Sequence, residues 1–293
     1  MRTCAVVFLF IELFPASAFA GGRMYCYQDV MKRVATGGGT VRLNGFTVQV
    51  KAVPDPTMPG DSTCRGSITS AQGKLVFEEE DWGMEIDPIS GSDINGDGQP
   101  DAVLTAYSGG AHCCWTYYIV SLGARPRIIR KFENQDTASF SDLRGNGETE
   151  ILIRDGSFDF GFGLDHVFSV FPLLIVQLKG TSFQDVGSQF WPVFDQEISR
   201  AQAKLTDKDL TDFLHSDPYE GQDNLNSQST EYEILVIILD YLYSGRYEKA
   251  KDVLANLWPS ASRNRTWHEM LQGYCSGLRA NLDLSSGPVC SDD

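Results

Sequence analysis

Two different periods of hydrophobic residues divide the chain. Up to about residue 180, short apolar segments alternate with polar positions at a period of two and are separated by turns rich in Gly, Asp and Asn, which is typical of β-strands. After about residue 187 the apolar residues recur every three to four positions, which indicates helices. The helices are expected at 197–214, 231–243, 247–257 and 267–278. The pattern predicts an α+β protein, with a β-rich domain over 21–190 and a smaller α-helical domain over 191–293.

Local signals mark where several of these elements begin and end. Asn44-Gly45, between two alternating segments, predicts a tight β-hairpin. Thr266 and Glu269 have the spacing of a capping box, which predicts that a helix begins there. The segment 241–250 resembles the turn of a tetratricopeptide hairpin. It occurs once, whereas a solenoid needs about three stacked repeats, so a single helical hairpin is expected.

The first 20 residues have the features of a secretory signal peptide. Arg2 precedes an apolar stretch, and Ala18-Phe19-Ala20 is a small-x-small cleavage signal. The stretch is too short to cross about 30 Å of hydrocarbon, and no later apolar run is longer, so no membrane-spanning segment is expected. The expected location is the periplasm or the extracellular medium.

The cysteines indicate an oxidising compartment. Of the seven in the chain, Cys4 lies in the leader, which leaves an even number for disulfides. Six thiols allow about 15 connectivities, so the pairing is open from sequence alone. Proximity favours Cys26 with Cys64 and Cys275 with Cys290, which would leave the vicinal pair Cys113 and Cys114.

Composition and charge narrow the class of protein. Hydrophobic residues make up 42% and charged residues 22%, which is the composition of a folded globular chain. The 24 Lys and Arg against 39 Asp and Glu give a net charge of −15, which repels a nucleic-acid backbone. A monomer is expected, because the neighbouring helices and the β domain can cover the apolar stripe of each helix.

The segment 93–101, Asp-Ile-Asn-Gly-Asp-Gly-Gln-Pro-Asp, is the most informative motif. Oxygen-bearing side chains stand at loop positions 1, 3, 5 and 9, a carbonyl is available at position 7, and Gly98 permits the sharp turn. This pattern suits a hard cation with about six or seven oxygen ligands, and calcium fits it better than magnesium, zinc or copper. The predicted Ca²⁺ ligands are Asp93, Asn95, Asp97, Gln99 and Asp101.

A loop of the form DxNxDGxxD that leads directly into an apolar strand resembles the FG-GAP and VCBS repeats of integrin-type β-propellers and of many exported bacterial proteins. A second copy supports the resemblance, because 141–153 aligns without gaps to 92–104 at an offset of 49 residues. The resemblance implies a partial β-propeller or a β-sandwich. It also implies a calcium ion that braces a loop between strands rather than one that takes part in catalysis.

The second copy departs from the pattern at the ligand positions. Arg144 replaces the oxygen ligand at position 3, and Asn146 stands at position 5. A cationic side chain at a ligand position takes the place of the metal. We therefore expect this loop to be metal-free, with the Arg144 guanidinium neutralising Asp142 and Glu150.

Two glycine-rich segments are candidate ligand sites. The segment 155–166 contains three Phe, three Asp and one His, a mixture of aromatic and acidic residues found in sugar-binding clefts and glycosidases. The segment 108–115 lies between two β segments and contains one His, two Cys and one Trp. Alternatively, the aromatic residues are structural and pack beneath the β domain. The candidate ligand-binding residues are His112, Trp115, Phe160, Asp165 and His166.

The sequence contains no nucleophile elbow, Walker motif, HExxH or dinucleotide fingerprint. It therefore predicts an exported calcium-binding β-repeat protein that acts as a non-enzymatic binding or cell-envelope interaction module, with a protein or a carbohydrate as ligand. The alternative is an extracytoplasmic hydrolase acting on carbohydrate, with Asp159, Asp165 and His166 in its site. A hydrolase requires these side chains to converge in one cleft, whereas a binding module requires only an exposed patch.

Overall fold

The computed structural model describes residues 24–29, 31–110, 113–219, 225–284 and 288–290. The predicted leader, His112 and the side chain of Cys113 lie outside the described residues. The architecture is α+β, which confirms the predicted fold class. The first two thirds of the chain form antiparallel sheets, and the last third forms helices.

A nine-stranded antiparallel sheet is formed by the first half of the chain. Its strands are β1 (Met24–Asp29), β2 (Val34–Leu43), β3 (Phe46–Pro54), β4 (Ser62–Ser70), β5 (Leu75–Asp81), β6 (Gly83–Ile86), β7 (Asp101–Gly110), β8 (Cys113–Ser121) and β9 (Arg127–Asn134). Their order is β5-β4-β3-β2-β1-β6-β7-β8-β9, and β5 also contacts β7 and β9, so the sheet is nearly closed. Its apolar interior holds the disulfide Cys26–Cys64, which joins β1 to β4.

A four-stranded antiparallel sheet follows. Its strands, in spatial order, are β10 (Ala138–Ser141), β11 (Glu150–Arg154), β12 (Leu173–Lys179) and β13 (Ser182–Asp185). One core joins this sheet to the outer face of the larger sheet, where Phe132 of β9 meets the Phe183 ring edge-on at 5.7 Å. Residues 173–178 of β12 are all buried, because the helices contribute to the same core.

The two copies of the 49-residue sequence repeat lie in two units with the same order of strands. The strands β6 to β9 and β10 to β13 are each four antiparallel strands in sequential order. In each unit the acidic loop connects the first strand to the second. The first unit is not a separate blade, because β6 also pairs with β1 and so belongs to the larger sheet.

The C-terminal third consists of helices that pack on the four-stranded sheet. They are α1 (Trp191–Gln202), α2 (Asp207–Leu214), α3 (Leu225–Tyr243), α4 (Tyr247–Leu257), α5 (Arg263–Ser276) and α6 (Leu278–Asn281). The disulfide Cys275–Cys290 ties the end of α5 to the C-terminal segment. None of the helices in the described part of the chain is long and apolar enough to cross a membrane.

Two sequence predictions about the helices are wrong. The helix expected over 197–214 is two helices, because Thr206 accepts a hydrogen bond from the backbone N–H of Asp209 and caps the second. The capping box predicted at Thr266 and Glu269 lies inside α5, where the Thr266 hydroxyl donates to the backbone carbonyl of Ser262.

A buried carboxylate on α3 makes stability depend on pH. Asp240 is 2% exposed, and its Oδ2 has no hydrogen-bond partner among the described residues. Burial and then the Glu197 carboxylate raise the pKa of Asp240 to about 8, while Arg154 and Arg246 oppose the shift. Between the unfolded pKa near 4 and the folded pKa, only the folded chain keeps this proton. The contribution of Asp240 to stability is therefore present at low pH and is lost as the pH rises through the folded pKa.

We expect Asp240→Asn to flatten the pH dependence of the free energy of unfolding by at most about 1.4 kcal/mol per pH unit between about pH 5 and pH 8. Urea unfolding across this range measures the slope. Asp252→Asn, at an exposed position of α4, is the matched control and should keep the native slope. Equal slopes for Asp240→Asn and the native chain would contradict the prediction.

Candidate functional site

The first acidic loop, which connects β6 to β7, is folded around the carboxylate at its position 1. Asp93 accepts hydrogen bonds from the backbone N–H groups of Gly96, Asp97 and Gly98 at 2.8, 3.1 and 2.7 Å. The Asp97 side chain accepts in turn from the N–H of Gln99 at 2.9 Å. These hydrogen bonds bring the polar residues of the loop together without the help of an ion.

Asp101, at position 9 of this loop, is fully buried, and only one of its two carboxylate oxygens has a hydrogen-bond partner among the described residues. Its side chain is 0% exposed, its Oδ2 accepts from the N–H of Ile94 at 2.8 Å, and its Oδ1 has no partner among the described residues. Burial raises the pKa of Asp101 to about 7; the Ile94 N–H opposes this shift, and the Asp97 and Asp93 carboxylates add to it. Within the described residues, no Lys or Arg forms an ion pair with any of these three carboxylates.

The second acidic loop, between β10 and β11, has the same backbone bond and its own cation. Glu150, at position 9, is 0% exposed, and its Oε2 accepts from the N–H of Leu143 at 2.9 Å, the counterpart of the bond from Ile94. Its Oε1 accepts from Gln177 at 2.7 Å and lies 3.5 Å from Nε of Arg144. The predicted ion pair between Arg144 and Glu150 is therefore present.

The Asp142 carboxylate, at position 1 of the second loop, forms hydrogen bonds with the backbone instead of the predicted ion pair with Arg144. It accepts hydrogen bonds from the backbone N–H groups of Asn146 and Gly147 at 3.1 and 2.7 Å. These N–H groups hold the pKa of Asp142 below its ordinary value. Backbone donors thus stabilise position 1 in both loops, and the loops differ in what neutralises position 9.

The donors of the first loop match calcium in kind, although they are not gathered as a metal-binding group. Among the described residues, no three His, Cys, Asp or Glu side chains form a group that could hold a metal ion. The predicted ligand set combines three carboxylates with the Asn95 amide and the Gln99 carbonyl, all of them oxygen donors. The buried, unpartnered oxygen of Asp101 is the feature of this loop that a bound cation would satisfy.

The glycine-rich segment between β11 and β12 forms three short 3₁₀ turns at 156–158, 161–163 and 166–168. Phe160 and Phe162 have φ values of 57° and 61°, which bulky residues rarely adopt. Phe162 is buried and stacks on Phe158 at 5.7 Å, whereas Phe160 is 57% exposed. Two of the three phenylalanines are therefore structural, and only Phe160 is available to a ligand.

Asp159 and His166 form a close pair in this segment. The Nδ1 atom of His166 lies 2.6 Å from Oδ1 of Asp159, whose side chain is 7% exposed against 40% for the histidine. Asp165 does not join them: its backbone carbonyl accepts the N–H of Phe168, and its side chain is exposed. Of the three residues of the predicted hydrolase site, Asp159 and His166 are therefore in direct contact, whereas no hydrogen bond or ion pair among the described residues links the Asp165 side chain to them.

Trp115 lies on β8. Its indole packs against the Tyr107 ring of β7 at 4.6 Å, and its register partner on β9 is Asn134. The residue that approaches the segment 155–166 is its neighbour Cys114, which is disulfide-bonded and lines a cavity together with Gly156. Both candidate segments therefore contribute to the lining of this cavity, the first through Cys114, whereas the indole of Trp115 packs against the core.

The cavity has a volume of about 480 Å³ and lies between the ends of β8 and β9, the turn 156–158 and the helices α5 and α6. Of the candidate ligand residues, those that the structure describes all lie outside its lining. Its polar side chains were not predicted from sequence as ligand-binding groups: Glu133, Asn134, Gln135, Ser157, Glu269, Gln272, Ser276 and Asn281.

One feature of the sequence indicates the close packing of α5 against the glycine-rich segment, which forms one side of the cavity. Glu269 accepts the Phe162 N–H at 2.6 Å and the Tyr219 hydroxyl at 2.8 Å, so it ties α5 to the glycine-rich segment. A Cβ atom at Gly273 would lie 2.4 Å from the Phe158 ring, and one at Gly277 would lie 2.0 Å from a side-chain oxygen of the same turn. The spacing of these two glycines by four residues, one helical turn, is the signal that a segment packs closely there.

No protein-family model, curated protein or solved structure matches the chain. The resemblance to FG-GAP and VCBS repeats therefore rests on the residues of the two acidic loops. The two four-stranded units in which these loops stand are compatible with a repeat.

We expect Arg144→Met to lower the free energy of unfolding by about 1–3 kcal/mol, because it leaves the fully buried Glu150 carboxylate with hydrogen bonds but no cation. Urea unfolding measures the loss. In Arg144→Met/Glu150→Gln the carboxylate is gone, so the double variant should recover part of the loss. A coupling energy near zero in the double-mutant cycle would show that the pair contributes nothing.

Proposed function

We propose that the protein is an exported calcium-binding protein with a non-enzymatic binding role, located in the periplasm or secreted. The observation that carries the proposal is the contrast between the two acidic loops: Glu150 has Arg144, whereas Asp101 has an unpartnered buried oxygen. Two disulfides in the structure are compatible with export. The FG-GAP and VCBS resemblance supports the same reading, because in those repeats the ion braces a loop.

The position of the first loop explains what calcium would do. The backbone carbonyl of Asn95 accepts the Gly180 N–H at 2.8 Å, and its side-chain amide donates to the Gly180 carbonyl at 3.0 Å. Gly180 lies in the turn between β12 and β13, so the first loop joins the nine-stranded sheet to the four-stranded sheet. An ion held by this loop would stabilise that junction.

We expect the mature protein to bind one calcium ion with a dissociation constant of about 10⁻³ to 10⁻⁴ M or tighter, the range of extracellular modules. Because the folded state alone offers the site, calcium should raise the melting temperature. Asp97→Ala should abolish the rise, whereas Asp142→Ala, at position 1 of the second loop, should keep it. Calorimetry without calcium heat, together with an unchanged melting temperature, would overturn the proposal.

The second loop also permits the reverse experiment. Arg144→Asn/Asn146→Asp gives it the same residue types as the first loop at positions 3 and 5. Calorimetry should then show two calcium ions per chain, and calcium should offset the stability lost with Arg144. A stoichiometry that stays at one would show that these positions do not select between calcium and arginine.

A hydrolase is a second candidate, supported by the contact between His166 and Asp159. A buried aspartate that orients a partly exposed imidazole is an arrangement used in general acid–base catalysis. Binding is favoured over catalysis because Asp165 does not join the pair and neither residue of the pair lines the cavity.

We expect Asp159→Asn and His166→Ala to leave the release of reducing ends from a panel of neutral oligosaccharides at the background of the uncatalysed reaction, as in the native chain. The exposed surface variant Gln202→Ala serves as the preparation control. Turnover by the native chain and by Gln202→Ala that disappears in both Asp159→Asn and His166→Ala would establish the hydrolase instead.

A further inference from the structure

We propose that the cavity between β8, β9, α5 and α6 binds a neutral, hydroxyl-rich ligand, a carbohydrate. The inference deepens the proposed binding function and rests on it, because it names the class of ligand and the place where the ligand binds. Three properties of the cavity carry it: its charge, its unused amide groups and its glycine-rich floor.

The charge of the cavity disfavours anionic ligands. The described residues that line it include two carboxylates, Glu133 and Glu269, and no Lys, Arg or His. A phosphate or carboxylate ligand would meet these acids in a chain of net charge −15 without a cation to receive it. The carboxylates also have partners: Glu133 lies 3.0 Å from Nζ of Lys131, and both oxygens of Glu269 accept hydrogen bonds. Both carboxylates are therefore already engaged by groups of the protein itself.

The hydrogen-bonding side chains that remain available are three amides and the hydroxyl group of Ser276. Gln135, Gln272 and Asn281 are exposed in the lining, and their side chains make no hydrogen bond to any described residue. Each amide offers two donors and an acceptor, which matches adjacent hydroxyl groups that also donate and accept. Pockets use a small number of such convergent polar groups to orient a ligand.

Asn134, the fourth amide side chain in the lining, is hydrogen-bonded to the backbone of the cavity wall. Its Nδ2 donates to the carbonyls of Asp136 and Arg154, and its Oδ1 accepts the N–H of Gly156. Its side chain is 6% exposed, so it serves the fold rather than a ligand. The amide groups are thus divided between one that fixes the wall and three that face the cavity.

The floor is apolar and largely without side chains. Phe158 and Leu278 contribute buried apolar surface, and glycines at 156, 161, 273 and 277 contribute bare backbone. The C–H faces of a sugar ring pack on such a surface, while its hydroxyl groups reach the amides around it. The volume of about 480 Å³ lies in the range of small-molecule sites.

The test uses the full mature chain and saturation-transfer NMR with defined probes. Cellotriose, maltotriose and N,N′,N″-triacetylchitotriose (called chitotriose here) are neutral trisaccharides, trigalacturonic acid is their anionic counterpart, and trialanine is a small zwitterionic peptide without hydroxyl groups. We expect at least one neutral trisaccharide to bind and trigalacturonic acid to bind at least 10-fold more weakly. Binding by none of the three neutral trisaccharides, or by trialanine or trigalacturonic acid in preference to them, would overturn the inference.

Cavity variants locate the binding. Gln272→Ala/Asn281→Ala should weaken trisaccharide binding at least 10-fold, and Ser276→Trp, which places a large ring in the lining, should abolish it. Gln202→Ala, an exposed amide on α1, should bind as the native chain does. Unchanged binding in both cavity variants, with native melting temperatures, would refute the site. Calcium binding is measured separately, so a chain that binds calcium but no saccharide fails this inference alone.

Discussion

A carboxylate that is buried where a strand begins needs a positive partner, and two such carboxylates organise the middle of this protein. Asp101 opens β7 and Glu150 opens β11, at equivalent places in two four-stranded units, and both are 0% exposed. Each accepts the N–H of the second residue of its loop, which fixes the loop over the end of the strand. An unpaired buried charge is among the most costly features a fold can contain. In the second loop Arg144 supplies the positive charge beside Glu150. In the first loop no Lys or Arg of the described residues pairs with Asp101, and this difference is the argument for a bound cation there.

The two loops also hold neighbouring parts of the fold together. The first is bonded through Asn95 to Gly180, in the turn of the four-stranded sheet. The second reaches the helical third, where Arg144 donates to Gln189 at 2.8 Å and lies over the Phe190 ring at 4.8 Å. The ion pair of Arg144 with Glu150 therefore also stabilises a junction, and a cation bound in the first loop would do the same.

The sequence predicts this protein well where the signal is local. Asn44 and Gly45 adopt the positive φ values of the predicted hairpin turn, and the pairing of Arg144 with Glu150 follows from aligning two loops. The sequence predicts poorly where the same residue pattern is compatible with two structural roles. Glu269 has the spacing of a helix cap, yet it accepts a hydrogen bond from a residue 107 positions away in sequence. The aromatic residues of 155–166 suggested a sugar-binding surface, yet Phe158 and Phe162 are buried against each other. Long-range packing decides such cases, and no local pattern contains it.

The cavity is a second feature that local sequence patterns do not predict. Its walls come from β9, the turn after β11 and the helices α5 and α6, so its amides are brought together only by the complete fold. Behind the turn, Asp155 is fully buried and accepts the Tyr243 hydroxyl at 2.6 Å, which fixes the wall to α3. The neighbouring Ser157 hydroxyl donates to Asp155 and accepts the N–H of Leu278, which fixes it to α6. A site whose walls are already held in this way loses little free energy to ordering when a ligand enters. For the proposed carbohydrate ligand, the affinity would then come from a few exposed amides.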